Sequence, residues 1–106
     1  MKENFMKSTF TVFVCAMLAS TALHADQGLA KSKNCFACHA QDKSIMGPAY
    51  NDVAAKYAGD KEAVAYLAQK IQKGGDGVWG TIPMPPNAQV TDAQAKKLAA
   101  WVLGIK

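Results

Sequence analysis

The sequence predicts a small all-α fold, and three observations support this prediction. Apolar residues recur at the period of a helix in two stretches, near Leu67 and near Leu98. Helix start and stop signals bound these stretches. No stretch shows the alternating apolar pattern of a β-strand. At 106 residues, the chain can form one domain at most.

Residues 1–25 have the features of a secretory signal peptide. Two lysines give a positively charged start, an apolar run follows, and Ala25 is the small residue that a signal peptidase requires. The apolar run is too short to span a membrane, which takes about 20 apolar residues. We expect cleavage after Ala25, with the bond after Ala22 as the alternative, and a mature domain of residues 26–106.

The mature domain shows signals for four helices. They are expected at residues 26–33, 50–57, 61–73 and from residue 91 towards the C-terminus. A Gly-Asp pair at 59–60 ends the second helix and is expected to cap the third, which stops at the Gly-Gly pair 74–75. Thr91 opens the fourth helix with a capping box, since Gln94 follows three residues later.

The third and fourth helices each carry one apolar stripe. The stripes consist of Val64, Leu67, Ala68 and Ile71 on the third helix and of Leu98, Trp101, Val102 and Ile105 on the fourth. Stripes of this width indicate core packing, and we expect the fourth helix to cross the first. Between the two striped helices, residues 74–90 hold four of the chain's eight glycines and no helical period. A loop this long in so small a domain is expected to be functional.

Residues 35–39, with the sequence Cys-Phe-Ala-Cys-His, carry the chemistry. Two thiols three positions apart can each form a thioether with one vinyl group of a porphyrin, and His39 then lies beneath the iron. A thioredoxin-like pair would need a βαβ pattern, and a zinc site would need two further ligands. The chain's other cysteine and histidine lie in the expected signal peptide, so haem attachment through Cys35 and Cys38 is favoured over these sites and over a plain disulfide.

Two methionines of the mature domain are candidates for a second axial ligand. A sixth ligand favours electron transfer, whereas an open position favours gas binding or catalysis. Met84 lies between Pro83 and Pro85, which hold its backbone with little conformational freedom. Met46 follows His39 by only seven residues and cannot easily reach the opposite face of a porphyrin. We therefore expect Met84 to bind the iron and Met46 to pack in the core.

Five short segments of the mature chain have an order and spacing that point to one family. They are the pentapeptide 35–39, Met46-Gly47-Pro48-Ala49-Tyr50, Gly77-Val78-Trp79-Gly80, Ile82-Pro83-Met84-Pro85-Pro86-Asn87 and Trp101-Val102-Leu103. With these segments the chain resembles the short bacterial class I cytochromes c of the cytochrome c-551 type. The resemblance covers essentially all of the mature chain, and it implies about four short helices wrapped around one covalently bound haem c.

The resemblance also implies roles for individual residues around the haem. His39 and Met84 would be the axial ligands of the iron. The Pro48 carbonyl would accept a hydrogen bond from the imidazole N–H, an interaction that fixes the ring. Trp79 would donate its indole N–H to a haem propionate, and Asn87 would hydrogen-bond near the Met84 sulfur.

Lysines of the mature chain are candidates for binding a propionate or a protein partner. Relatives often carry an arginine where this chain has Lys70, which can neutralise a propionate but lacks the arginine fork. Lys31, Lys33 and Lys43 flank the pentapeptide and could steer an acidic partner to the haem edge. Each of these four lysines could equally be a solvated surface group.

The resemblance implies a monomeric, periplasmic single-electron carrier. It would take electrons from the cytochrome bc1 complex and pass them to a terminal acceptor such as dissimilatory nitrite reductase, an oxidase or a peroxidase. Ten lysines against seven acidic residues give the mature chain a net charge of only +3 (10 − 7) and it has no arginine, so nucleic-acid binding is not expected. Two other functions stay open: a haem-based sensor or peroxidase with a labile sixth ligand, and an electron-transfer subunit of a larger reductase.

Overall fold

Four helices and one 3₁₀ turn form the part of the chain that the structure, a computed structural model, describes: residues 26–106. The elements are α1 at 26–32, the 3₁₀ turn Cys35–Ala37, α2 at Tyr50–Lys56, α3 at Ala63–Lys73 and α4 at Asp92–Leu103. Between residues 26 and 106 the only extended pairing is an isolated bridge of Gly75 with Met84. The predicted all-α fold is thus confirmed, whereas the predicted signal peptide lies outside the described residues. No helix of the described part is long and apolar enough to cross a membrane.

Helix α4 begins with the predicted capping box. The Gln94 N–H donates to the Thr91 hydroxyl at 3.2 Å, and the Thr91 N–H donates to the Gln94 side-chain oxygen at 3.1 Å. Two N–H groups that the first turn of a helix leaves without partners are satisfied in this way. Gln72 near the end of α3 adds a link, since its amide donates to Asp92 Oδ1 at 2.7 Å. The start of α4 is therefore fixed both locally and against α3.

Alanines form the contact between α1 and α4. Ala30 of α1 packs in one cluster with Ala95, Leu98 and Ala99 of α4, and all three alanines are fully buried. The distance between packed helices depends on the side chains at their contact, so alanines allow a close approach. The predicted packing of the last helix against the first is confirmed.

The start of α3 differs from the prediction. The helix begins at Ala63, two residues later than expected, and Asp60 accepts a hydrogen bond from the Glu62 N–H in the turn before it. The predicted burial of Val64 was wrong, since 36% of this residue is exposed while only 1% of Ala63 is. The inner face of the first turn of α3 is therefore on the side of Ala63, which lies one turn before Leu67.

Three aromatic rings join the pentapeptide to α2 and α4. Phe36 lies edge-on to Tyr50 with ring centroids 5.6 Å apart, and Tyr50 lies edge-on to Trp101 at 5.3 Å. Edge-to-face pairs at these distances are favourable beyond the area that they bury. The 3₁₀ turn that carries the cysteines is therefore anchored to the two helices on which these rings lie.

Replacing Ala99 by leucine tests the close packing of α1 on α4. We expect Ala99→Leu to lower the free energy of unfolding by about 1–3 kcal/mol, because three extra carbons must fit into a filled contact. Ala100→Leu is the matched control, since Ala100 is exposed on the same helix; it should change stability by no more than about 0.5 kcal/mol. Denaturant unfolding of the haem-loaded protein measures both, and equal stabilities of the two variants would contradict the packing described.

Candidate cofactor site

A cavity of about 530 Å³ lies between the pentapeptide, α2, α3, α4 and the loop 74–90. Its volume lies in the range of about 300–1,000 Å³ that is typical of small-molecule and cofactor sites. Much of its wall is apolar and includes Leu67, Ile71 and Leu98. The two inner stripes of α3 and α4 thus form part of the core and part of this wall.

Both thiols of the pentapeptide reach this cavity. Cys35 and Cys38 line it, each is half-buried, and they are not joined to each other. The 3₁₀ turn places them through two bonds to one carbonyl, since the N–H groups of Cys38 and His39 both donate to Cys35 O, at 3.2 and 3.1 Å. Asn34 enters the turn in the left-handed conformation, with φ of 63°. Burial raises the pKa of the Cys35 thiol.

His39 is held on two sides by the segment 47–50. Its Nδ1 lies 2.9 Å from the Pro48 carbonyl oxygen, and because a carbonyl only accepts, Nδ1 must carry the hydrogen. In the neutral ring Nε2 then keeps its lone pair for a metal ion. The ring also stacks on Tyr50 with centroids 5.1 Å apart. The hydrogen bond to Pro48 that the family resemblance implied is present.

Gly47 is the third constraint on the imidazole ring. A Cβ atom added to this glycine would lie 2.5–3.0 Å from three atoms of the His39 ring. Its N–H donates to the Cys38 carbonyl at 2.7 Å, which fixes the glycine backbone against the pentapeptide. Only a residue without a side chain can therefore occupy position 47 without moving the ring.

Met84 lies on the wall of the same cavity and is held by the end of α3. Its N–H donates to Gly75 O at 2.8 Å and its carbonyl accepts from the Gly75 N–H at 3.1 Å. Gly74 ends α3 with φ of 72°, and a Cβ atom there would overlap the Met84 carbonyl oxygen. The sequence identified this glycine as a helix stop; the structure shows that it also makes room for the methionine.

Asn87 attaches the other side of the loop 74–90, called the Met84 loop below, to α3. Its backbone N–H donates to the carbonyls of Ile71 and Gln72, at 3.3 and 3.2 Å, and its side-chain Nδ2 donates to Ile71 O at 2.8 Å. These carbonyls belong to the last turn of α3, where helices leave such groups without partners. The Nδ2 atom carries a second hydrogen, so the predicted bond towards the Met84 sulfur stays a prediction.

Trp79 and Lys70 both line the cavity, and each lies beside a residue that the sequence analysis missed. The Lys56 ammonium lies 5.4 Å from the centre of the Trp79 ring, and the Lys70 ammonium lies 5.4 Å from that of Tyr66. Both distances allow a cation–π attraction. The i, i+4 spacing of Tyr66 and Lys70 on α3 could have indicated their contact. No local pattern links Lys56 with Trp79, which lie far apart in the sequence.

The structure separates the flanking lysines from the cavity wall. Lys31, Lys33 and Lys43 are not among the described residues that line the cavity. Lys33 donates to the Gln89 carbonyl at 3.1 Å, a contact between the end of α1 and the Met84 loop. The other two lysines are exposed. Their predicted docking role stays a prediction.

Met46 does not pack in the core, and that prediction was wrong. The residue is 62% exposed at the margin of the cavity. It occupies the tip of a turn in which the Ile45 N–H donates to Gly47 O at 3.1 Å. Because Gly47 is fixed to Cys38 on the inner side of this turn, the intervening side chain is directed outwards.

The residues on this wall fit a covalently attached haem. Two unpaired thiols, an imidazole whose Nδ1 is already bound and a thioether all reach one largely apolar cavity. The thiols would form the thioethers, and the imidazole nitrogen and the thioether sulfur are donors that iron accepts in haem proteins. Fold and site together define a class, that of small all-α proteins that hold one haem.

The chain belongs to the cytochrome c family, whose model, described as "Cytochrome c", matches residues 27–106. Cytochrome c-552 of Hydrogenobacter thermophilus is 55% identical over 101 residues, which are 95% of this chain and 100% of the relative. Cytochrome c-551 of Pseudomonas aeruginosa is 60% identical over 78 residues, 74% of each chain. The crystal structure of wild-type Nitrosomonas europaea cytochrome c552 superimposes with a TM-score of 0.74 at 55% identity, covering 76% of this chain and 99% of that one.

These relatives confirm several predictions made from the sequence. The chain is a class I monohaem cytochrome c with one covalently bound haem c, and it is an electron carrier and not an enzyme. The predicted class I fold of about four short helices is also confirmed.

Replacing Gly47 by alanine tests the fit of the backbone against His39. We expect Gly47→Ala to lower the free energy of unfolding by about 1–3 kcal/mol and to weaken the bond to Pro48, because the new methyl must displace the ring. Gly28→Ala is the control, since a Cβ atom there meets nothing within 4 Å and alanine is favoured by about 1 kcal/mol inside a helix. Denaturant unfolding and the NMR signal of the His39 ring N–H measure both effects. A Gly47→Ala protein as stable as wild type would show that the ring is not confined.

Replacing Gly74 by alanine tests the contact between α3 and the Met84 loop. Gly74 has φ of 72° and ψ of −169°, a backbone conformation essentially restricted to glycine, so alanine there costs about 1–3 kcal/mol by itself. The methyl would also strike the Met84 carbonyl. Gly59→Ala is the reference for a positive φ without a steric contact, because Gly59 has a φ of 78° and nothing lies within 4 Å of its Cβ position. We expect Gly74→Ala to be the less stable of the two in thermal or denaturant unfolding. The same cost in both variants would contradict a tight contact at Gly74.

Proposed function

We propose that His39 Nε2 and Met84 Sδ would hold the haem iron and that Cys35 and Cys38 would form the thioethers. The observation that carries this proposal is that His39 and Met84 line one cavity, each fixed there by main-chain groups. When bound, the haem supplies a one-electron Fe(III)/Fe(II) couple. A methionine as second ligand raises the potential of that couple and leaves no position open for a substrate.

The residues around His39 and Met84 would keep the positions of these two side chains constant when the haem gains or loses an electron. The Pro48 carbonyl fixes the tautomer and orientation of His39 and increases the basicity of Nε2. The pairing of Gly75 with Met84 and the attachment of Asn87 to α3 restrict the Met84 loop. A ligand that moves little between the oxidation states suits a carrier.

The haem propionates and the Met84 sulfur would be contacted by three side chains, those of Lys70, Trp79 and Asn87. In the proposed arrangement Lys70 neutralises a propionate and the Trp79 indole N–H donates to one. The second Nδ2 hydrogen of Asn87 is directed to the Met84 sulfur. Lys56 supports Trp79 through its ammonium over the indole ring. Each role depends on a side chain that either lines the cavity or contacts a residue that does.

Partner proteins would dock on an apolar rim of four residues that line the cavity and are exposed: Ile45, Met46, Val78 and Ile82. Exposed apolar residues gathered at one place indicate a contact surface. Docking of an electron carrier is weak and brief and needs only a small patch. Lys31, Lys33 and Lys43 would steer acidic partners at longer range.

The proposed setting is a periplasmic respiratory chain that serves denitrification. Residues 1–25 would be cleaved as a signal peptide, which leaves the domain 26–106 as a monomer without stable membrane insertion. The cytochrome bc1 complex would be the electron donor, and nitrite reductase or an oxidase the acceptor. The support for this setting is the sequence of the N-terminal segment and the similarity to cytochromes c-551 and c-552 of bacteria.

Optical spectra of the matured protein test the ligand assignment. We expect a low-spin reduced spectrum that carbon monoxide does not change, and in the ferric state the weak near-infrared band of a methionine ligand. Met84→Ala should remove this band and admit carbon monoxide, whereas Met46→Ala, the matched control, should keep the wild-type spectrum. Loss of the band in Met46→Ala alone would transfer the ligand role to Met46. A wild-type iron that binds carbon monoxide would favour a sensor or peroxidase.

A further inference from the structure

Met46 is the most exposed large apolar residue of the described part of the chain, and its backbone is held in place. Of its side chain and backbone together, 62% is exposed. The bond of the Ile45 N–H to Gly47 O and that of the Gly47 N–H to Cys38 O fix the turn on both sides of it. The turn cannot rotate inwards, because Gly47 lies against the His39 ring. The thioether therefore stays at the surface.

Met84, the other methionine after residue 25, is in a different situation. It is half-buried, and its loop is paired with Gly75. Both methionines line the same cavity, so a group that fills the cavity shields both, but Met46 has the larger exposure to begin with. In addition, the sulfur assigned to iron uses a lone pair in that bond. An oxidant from solvent consequently meets the Met46 sulfur first.

We infer that Met46 is an oxidant-sensitive modification site that controls docking of a second copy of this chain on the apolar rim during electron self-exchange. A hydroperoxide transfers one oxygen atom to Sδ: the sulfur lone pair attacks the peroxide, the O–O bond breaks, and water leaves when hydrogen peroxide is the oxidant. The sulfur loses two electrons and the peroxide gains them. The product is methionine sulfoxide, which is polar and can be reduced again enzymatically.

The sulfoxide would slow electron exchange by weakening the docking contact at the protein surface, and not by changing the ligands of the iron. A sulfoxide oxygen at the centre of an apolar contact has no partner there, and an unpaired polar group is costly to bury. Oxidation at Met46 would leave the His39 and Met84 donor atoms untouched, so the near-infrared band should persist while docking weakens. This inference rests on the docking role proposed for the apolar rim.

Limited treatment of the holoprotein with hydrogen peroxide, followed by peptide mass mapping, tests the site. Electron self-exchange, measured by NMR in mixtures of ferric and ferrous protein, tests the effect. We expect one added oxygen on Met46 before any on Met84, an unchanged near-infrared band, and self-exchange slower by about fivefold or more. Met46→Leu, which keeps an apolar side chain at the rim but has no sulfur, should show the same self-exchange rate before and after the treatment. Met46→Gln, polar without any oxidant, should exchange slowly from the start.

Several results would overturn the inference. Oxidation of Met84 before or together with Met46 would show that Met46 is not the preferred site of oxidation. A sulfoxide at Met46 that leaves the self-exchange rate unchanged would show that oxidation does not control docking. A wild-type self-exchange rate in Met46→Gln would likewise show that a polar side chain at this position does not weaken docking. These outcomes leave the electron-carrier proposal intact, because fast exchange of the untreated protein would still support it. An untreated protein with an open iron and no self-exchange would instead contradict the proposed function itself.

Discussion

The contact of the segment 47–50 with the His39 ring is the constraint on which the site depends. Gly47 lies against the ring, Pro48 accepts the Nδ1 hydrogen, and Tyr50 stacks on the face. Position, tautomer and plane of one imidazole are thus set by three residues of a four-residue segment. The same segment leads directly into α2, so His39 is fixed to the helical frame and not to a free loop. An imidazole oriented in advance loses little freedom when it binds a metal ion.

The rest of the domain has a small apolar core, as its length of about 80 residues requires. Where α1 meets α4, three alanines lie together with Leu98, and the large aromatic side chains are grouped near the pentapeptide, as Phe36, Tyr50 and Trp101 show. Apolar residues such as Leu67 and Ile71 face the cavity and contribute to the core from there. Domains this small commonly rely on a staple besides their apolar core. In this family a covalently bound haem is that staple, and in this chain it would be held in the cavity where the apolar residues converge.

Features set by neighbouring residues in the chain could be predicted from the sequence. The capping box at Thr91 and the stop at Gly74 depend on a few consecutive residues, and the structure contains both. Val64 lies in the first turn of α3, where the tertiary neighbours decide which residue is buried. The exposure of Met46 depends on a turn fixed to Cys38, and the contact of Lys56 with Trp79 joins two distant segments. Such features need the three-dimensional arrangement.

Asn87 has a consequence for the way the molecule opens. Its backbone and side chain satisfy carbonyls in the last turn of α3, so the Met84 loop cannot lift away without uncovering the end of that helix. Opening of the loop and fraying of α3 are therefore one cooperative event. The unit that unfolds locally includes the loop and the last turn of α3. Transient opening of the segment around Met84 is opposed by the stability of a helix end, through hydrogen bonds that lie several residues away from the Met84 sulfur.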